Sequence, residues 1–194
     1  MPRPPRHRPG QLRVPGGVGQ FGRRQRLLEM HEVAERFFAE SLESEAGTIG
    51  RDFLSGRGFP PASSRQFGLG FAPKSWDALT GHLGRAGFSE EEILAGGLAS
   101  QGNRGIYDRF RGPVVLPTKD MTSRSTGPGA RRLFHDDHGP QHLTTPQTAP
   151  THYTNTLCAP VLAKNAIAHP KRVVIVDHYT YLTAAPLLSF LQAV

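Results

Sequence analysis

Apolar residues in the first half of the chain recur at helical spacing. From Leu27 to Ser44 the large apolar side chains fall on one face of a helix and glutamates lie on the other, as in a helix that packs against a core. A second, shorter helix is predicted from about Thr48 to Ser55, ending at Gly56. Pro60 and Pro61 then break the chain and can start a short helical turn. The apolar face of the first helix consists of Leu27, Met30, Ala34, Phe37, Phe38 and Leu42.

Capping residues predict two further helices before residue 100. Ser75 is placed to cap a helix that carries Trp76 and stops at Gly87. Ser89 and Glu92 have the spacing of a capping box, which predicts another short helix. We interpret the aromatic and leucine side chains of these helices, including Trp76, as core residues and not as ligands of a cofactor.

The second half of the chain has the pattern of β-strands. Val114–Leu116 forms a short apolar run that Pro117 is expected to stop, and Ser125–Phe134 is expected to pair with it after a turn. Residues 135–160 are predicted to be irregular. Arg172–Val176 is apolar on both faces, which is typical of a parallel strand covered by helices. The predicted helices are followed by a pair of strands joined by a turn and by a strand of parallel type. We therefore expect an α/β fold.

The positive charge of the chain is concentrated at its N-terminus. Lysine and arginine number 23 against 16 acidic residues, a formal net charge of +7. Residues 1–26 contain seven arginines and no acidic residue, so this segment accounts for the whole net charge. Because it is rich in proline and glycine and poor in large apolar residues, we predict that it is a disordered basic arm. Such an arm can attract phosphates, but it can also be an unstructured extension or the product of a misplaced translation start.

A second group of cations lies between residues 104 and 132. Seven basic residues are accompanied there only by Asp108 and Asp120. Glycines punctuate residues 102–112, which we therefore predict to be a loop leading into the strand at Val114. Arginines on a loop beside a strand can hold phosphates in bidentate geometry, although a solvated basic face has the same composition. The basic residues are Arg104, Arg109, Arg111, Lys119, Arg124, Arg131 and Arg132.

Cysteine content and hydropathy narrow the class of protein. Cys158 is the only cysteine, so no disulfide within the chain and no cysteine-based zinc site is expected. No apolar run approaches the roughly 20 residues that a membrane span needs. The basic N-terminus is not followed by the apolar stretch of a secretory signal. We therefore expect a cytoplasmic protein with no membrane contact.

Several motifs, in order, resemble the catalytic core of bacterial replicative DNA primases (DnaG-type). The clearest is Tyr107-Asp-Arg-Phe-Arg111, which is followed by an apolar strand and a proline. The pair Arg57-Gly58, the block from Phe67 to Pro73 with Trp76, and residues 127–132 resemble neighbouring motifs of that family. The resemblance implies a mixed helical and β primase-core N-terminal subdomain over residues 27–170. An incomplete Toprim-like α/β segment is then implied over residues 171–194.

The resemblance also implies a function and a set of partners. Primases of this family synthesise short RNA primers on single-stranded DNA from ribonucleoside triphosphates, with Mg²⁺, and can work with a replicative helicase. Carried over by position, Arg57, Arg109, Arg111 and Arg131 are expected to contact template or nucleotide phosphates.

The metal-binding part of the resemblance is incomplete. Asp177 matches the glutamate that ends the first Toprim strand, with a side chain shorter by one methylene, and is the one candidate catalytic and metal-binding carboxylate. No acidic residue follows it, so the family's Asp-x-Asp pair has no match in this sequence. Because one carboxylate cannot build a two-metal site, we expect this chain alone to be inactive. The alternatives are a non-catalytic module that binds single-stranded DNA and an inactive primase remnant.

Overall fold

The computed structural model describes residues 17–120, 122–133, 142–146 and 148. These residues form a mixed helical and β fold. Its helices are α1 (Gly17–Glu43), α2 (Thr48–Gly56), α3 (Pro61–Gln66), α4 (Ala78–Arg85) and α5 (Glu90–Ala95), with a 3-10 turn at Glu45–Gly47. Its strands are β1 (Gly70–Phe71), β2 (Ala99–Gly102), β3 (Gly105–Asp108), β4 (Val114–Lys119), β5 (Ser125–Arg131) and β6 (His142–Thr144). The predicted parallel strand at Arg172–Val176, Asp177 and the Toprim-like segment over residues 171–194 lie outside the described residues.

The larger sheet has four antiparallel strands in the order β1-β4-β5-β6. The predicted pairing of β4 with β5 is confirmed, with Val115 opposite Ala130. The expectation that Pro117 ends the strand is wrong, because β4 continues to Lys119. β1 covers only the first two residues of β4, so Pro117 lies beyond β1, where its missing N–H removes no bond to that strand.

The predicted loop over residues 102–112 is wrong at its start. β2 and β3 form an antiparallel hairpin in which Gly102 is opposite Gly105, joined by Asn103 and Arg104. Gly105 adopts a φ of +125°, a conformation that favours glycine. The hairpin lacks an apolar alternation because Ser100 and Gln101 occupy the middle of β2, which explains why the pattern did not indicate strands.

The core lies between α1 and the four-stranded sheet. Met30, Ala34 and Phe38 of α1 are buried with Val115 of β4 and Ala130 of β5, in one cluster that α4 and α5 close from the side. A second cluster joins the end of α1 to α2 and β1. The apolar face predicted for the first helix is therefore confirmed as the core-facing side.

The predicted start of the first helix is wrong by ten residues, because α1 begins at Gly17 and not at Leu27. Arg26 shows what holds this earlier part of the helix. Its guanidinium donates to the Glu92 carboxylate at 3.0 Å and to the Gly87 carbonyl at 2.6 Å, and lies 4.2 Å from the Phe88 ring centroid. Residues 17–26 are thus helical, whereas residues 1–16 of the predicted arm lie outside the described residues. Although α1 is long, no helix in the described ranges combines the length and apolarity needed to cross a membrane.

The capping box predicted for α5 is confirmed. The Ser89 hydroxyl accepts from the Glu92 N–H at 3.2 Å, and the Glu92 carboxylate accepts from the Ser89 N–H at 2.9 Å. Glu92 also pairs with Arg26, which ties the first turn of α5 to α1.

Gly70 permits the close approach of β1 to α1, and its replacement tests that contact. An alanine Cβ there would lie 2.6 Å from Phe38 Cβ and 2.7 Å from the Phe38 backbone carbon. We expect Gly70→Ala to lower the free energy of unfolding by about 2 kcal/mol or more. Gly84→Ala in α4 is the matched control, because its Cβ meets no atom within 4 Å. It should stabilise the protein by roughly 0.5 kcal/mol. Urea unfolding of both variants measures the difference, and equal midpoints would contradict the packing.

His31 gives the stability a specific pH dependence. Its Nε2 lies 2.9 Å from the Gly96 carbonyl, and burial lowers the pKa of His31 more than the carbonyls of Gly96 and Thr126 raise it. The unfolded chain therefore takes up this proton near pH 6.5, before the folded protein does. The free energy of unfolding should fall as pH decreases below 6.5, by at most about 1.4 kcal/mol per pH unit from this group.

The pH effect is isolated by comparison with His31→Gln, which cannot titrate. We expect the unfolding free energy of the variant to decline less between pH 7 and pH 5 than that of the unmodified chain, as measured by urea unfolding. Parallel pH profiles would mean that His31 does not remain neutral in the fold.

Candidate nucleic-acid interface

An open pocket of about 170 Å³ lies where four segments of the fold meet. The loop after β1, the segment between β3 and β4, and the ends of β5 and β6 form its wall. Four of its described lining residues are cationic and none is acidic. The lining residues are Lys74, Ser75, Trp76, Arg109, Arg111, Arg132 and Leu143, and we call this site the basic pocket.

The segment between β3 and β4 places two arginines in the basic pocket by simple alternation. Phe110 is 1% exposed and points into the core, so Arg109 and Arg111 on either side of it lie at the pocket. The backbone is fixed at both ends of this segment. The Arg109 N–H donates to the Leu98 carbonyl at 3.0 Å, and the Gly112 N–H donates to the Ala72 carbonyl at 2.9 Å.

Trp76 forms the aromatic wall of the pocket, and the expectation that it is a core residue is wrong. It is 65% exposed because α4 begins only at Ala78, so Trp76 precedes the helix and is not on its buried face. Asp77, and not Ser75, is the residue at the N-cap position. The Arg111 Cζ lies 3.7 Å from the Trp76 ring centroid, a cation–π contact. Tyr107 supports the stack from the side, with its ring centroid 5.6 Å from that of Trp76.

The charges of Arg109 and Arg111 are not neutralised within the described part of the chain. No carboxylate there pairs with either guanidinium. Arg109 Nη2 donates a long bond of 3.4 Å to the Thr144 carbonyl, while Arg109 Nε and Arg111 Nη1 are shielded from solvent and have no partner among the described residues. Two positive charges held in this way favour an anionic ligand, since unpaired donors are costly to leave unsatisfied.

The other two predicted arginines lie together at a neighbouring place. Arg57 follows α2 and Arg131 ends β5, and their Cζ atoms lie 5.0 and 5.6 Å from the centroid of the same Phe53 ring. The structure thus groups the four predicted arginines in two pairs, one in the basic pocket and one around Phe53. Sequence reasoning missed Lys74 as a site residue, although its position beside Trp76 was the available signal.

Two other cations of the cluster between residues 104 and 132 form ion pairs within the fold. Lys119 pairs with Glu35 at 2.7 Å, and Arg124 pairs with Glu32 at 2.9 Å. Both glutamates belong to α1. Lys119 lies at the far end of β4, roughly 17 Å along the strand from Val114. The positive charge is therefore compensated at that end of the hairpin, whereas Arg109 and Arg111 have no carboxylate partner among the described residues.

The described residues do not fit a divalent metal. No group of three or more histidine, cysteine, aspartate or glutamate side chains among them is arranged to hold a metal ion. The basic pocket itself is lined by cations, which repel Mg²⁺. Asp177, the predicted metal-binding carboxylate, lies outside the described residues.

Comparison with known proteins places these features in one family. Residues 37–164 match the family described as the DNA primase catalytic core, N-terminal domain. The chain is 42% identical over 177 residues to the DNA primase of Streptomyces coelicolor, covering 90% of this chain and 28% of the relative. It is 39% identical over 174 residues to the DNA primase of Mycobacterium tuberculosis, covering 89% and 27%. The chain spans a little over a quarter of the length of these curated relatives.

Solved structures agree with the sequence relatives. The fold is similar to the RNA polymerase domain of the Mycobacterium tuberculosis primase DnaG, with a TM-score of 0.80 and 38% identity over 87% of this chain and 55% of the other. It is also similar to a DnaG primase catalytic domain bound to single-stranded DNA, with a TM-score of 0.78 and 29% identity over 84% and 52%.

Proposed function

The chain belongs to the family of the DNA primase catalytic core, N-terminal domain, and on that premise we propose that its basic pocket holds single-stranded DNA during primer synthesis. The observation that carries this proposal is the stack of Arg111 on the exposed Trp76, beside the unpaired charge of Arg109. A similar primase domain, 29% identical, has been solved with single-stranded DNA bound. The family assignment expected from the sequence motifs is thereby confirmed, and the site assignment is a proposal.

The chemistry of the pocket suits a flexible, unpaired strand. Guanidinium groups form bidentate, charge-assisted hydrogen bonds with phosphate oxygens, and Arg109 and Arg111 both lie at the pocket. An exposed indole offers a face on which any of the four bases can stack, and such stacking does not depend on sequence. Binding should therefore be sequence-tolerant and strongly dependent on salt. Arg57 and Arg131 around Phe53 extend the same positive surface for a longer strand.

The catalytic part of the proposal concerns residues outside the described part of the chain. In the family, primer synthesis joins ribonucleoside triphosphates, and bound Mg²⁺ supplies the charge stabilisation for that reaction. The described residues of this chain contribute the hold on the template and no metal ligand. Catalysis through Asp177 and contact with a replicative helicase are proposals that rest on the family and not on the described residues.

Variants that remove positive charge test the proposed DNA contact. The double variant Arg109→Met, Arg111→Met should weaken binding to a single-stranded oligonucleotide. It should also reduce the slope of log K against log salt by about 1.4, from roughly 0.7 per lost phosphate contact. Fluorescence anisotropy at several salt concentrations measures both quantities on the full chain.

The control removes a cation that the fold already compensates. Lys119→Met keeps the aliphatic stem but deletes a charge paired with Glu35 at the far end of β4. Its salt slope should equal that of the unmodified chain. If the double variant keeps that slope as well, the basic pocket does not contact DNA, and an inactive remnant becomes the better account.

A further inference from the structure

Asp108 is the acidic residue embedded in the arginine motif, and its side chain is fully engaged within the fold. It ends β3 and is 2% exposed. Its Oδ2 accepts from the Leu79 N–H and its Oδ1 from the Thr80 N–H, each at 2.8 Å. Both oxygens are therefore occupied by backbone donors, so the carboxylate is available neither as a solvated counter-ion of the neighbouring arginines nor as a metal ligand.

These two donors belong to the first turn of α4. The first N–H groups of a helix have no partner within it, and the N-cap side chain usually supplies one. In α4 the N-cap residue is Asp77, and its side chain makes no capping bond. Asp108, 29 residues after Leu79 in the chain, caps the helix instead. The negative charge also complements the positive end of the helix dipole.

A third bond ties Asp108 to the aromatic wall of the basic pocket. The Asp108 N–H donates to the Trp76 carbonyl at 2.7 Å. One residue thus holds the backbone of Trp76 and the start of α4, while the next residues of its own chain carry Arg109 and Arg111. Trp76 is exposed, so the burial of its own ring does not fix its position.

We propose that Asp108 is a positioning residue for the basic pocket, whose buried carboxylate clamps the N-terminus of α4 to the end of β3 and so keeps Trp76 stacked on Arg111. This inference rests on the proposed function, because the stack matters only if the pocket binds a base and its phosphate. The charged carboxylate is required for the clamp, since an amide has one acceptor oxygen and would oppose the second N–H with a donor. The pKa of Asp108 is raised above its usual value, because the effect of burial outweighs that of the Leu79 and Thr80 amides, which lower it.

The sole tryptophan of the sequence makes the clamp measurable without DNA. In the full chain carrying Asp108→Asn, held at a temperature where circular dichroism shows it folded, the emission anisotropy of Trp76 should fall and its quenching by acrylamide should rise. Ser89→Ala is the matched control, because it removes the cap of α5, which does not line the pocket. Its Trp76 emission should be unchanged. A folded Asp108→Asn protein with the anisotropy of the unmodified chain would overturn the proposal.

A separate binding experiment measures the effect of Asp108→Asn on the affinity for DNA. Asp108→Asn should weaken binding to a single-stranded oligonucleotide by about tenfold, the scale of one lost base stack. Its salt slope should be retained, since both arginines remain. If Trp76 loosens but affinity is unchanged, the clamp exists and does not serve DNA binding, which overturns the positioning role. If the unmodified chain itself binds no oligonucleotide, the proposed function fails, while the anisotropy result still decides whether the clamp exists.

Hydrogen exchange on the unmodified chain covers the case in which Asp108→Asn does not fold. Leu79 and Glu91 each hold the second position of a helix, in α4 and α5. An N–H at this position has no partner within its own helix. The Leu79 N–H donates to Asp108, whereas the Ser89 cap of α5 accepts from the Glu92 N–H. The amide of Leu79 should exchange many times more slowly than that of Glu91. Equal and fast exchange of the two amides would overturn the clamp directly.

Discussion

The packing of α1 against the antiparallel sheet is the interaction on which the rest of the molecule depends. Its apolar face supplies Met30, Ala34 and Phe38 to the main core, and Gly70 lets the first strand approach it closely. The glutamates on its polar face determine which cations are neutralised. Glutamates of α1 neutralise Lys119 and Arg124 at one end of the β4–β5 hairpin, while Arg109 and Arg111 of the basic pocket have no carboxylate partner among the described residues. The same helix therefore builds the core and leaves the basic pocket positive.

Buried side chains alternate with pocket side chains along residues 108–111, and this alternation links the fold to the proposed function. Asp108 and Phe110 are buried, one as a cap for α4 and one as a core residue, while Arg109 and Arg111 lie at the pocket. Substituting either buried residue would be expected to move the arginines beside it. This explains how a short motif can be needed both for stability and for holding a ligand.

The structural features that depend on local sequence pattern were predicted correctly from the sequence. The core face of α1, the capping box at Ser89 and the pairing of β4 with β5 follow from periodicity and capping chemistry, and all three are present. The predictions failed where the structure depends on contacts between residues that are distant in sequence. The β2–β3 hairpin has no apolar alternation, Arg26 extends α1 through contacts with Glu92, and the exposure of Trp76 depends on a helix that begins two residues later. The seven-cation cluster could not be divided from sequence, because the glutamates that compensate Lys119 and Arg124 lie more than 80 positions away.

The central claim is that nucleic acid binds at the pocket walled by Trp76 and the arginines. The most direct measurement is a titration of the full chain with a labelled single-stranded oligonucleotide, in which label anisotropy and tryptophan emission are recorded from the same sample. Because Trp76 is the only tryptophan, its emission reports on this pocket alone. The account predicts that emission is quenched in step with the rise in anisotropy, with one dissociation constant for both signals. A saturating rise in anisotropy with unchanged Trp76 emission would place the bound strand elsewhere and contradict it.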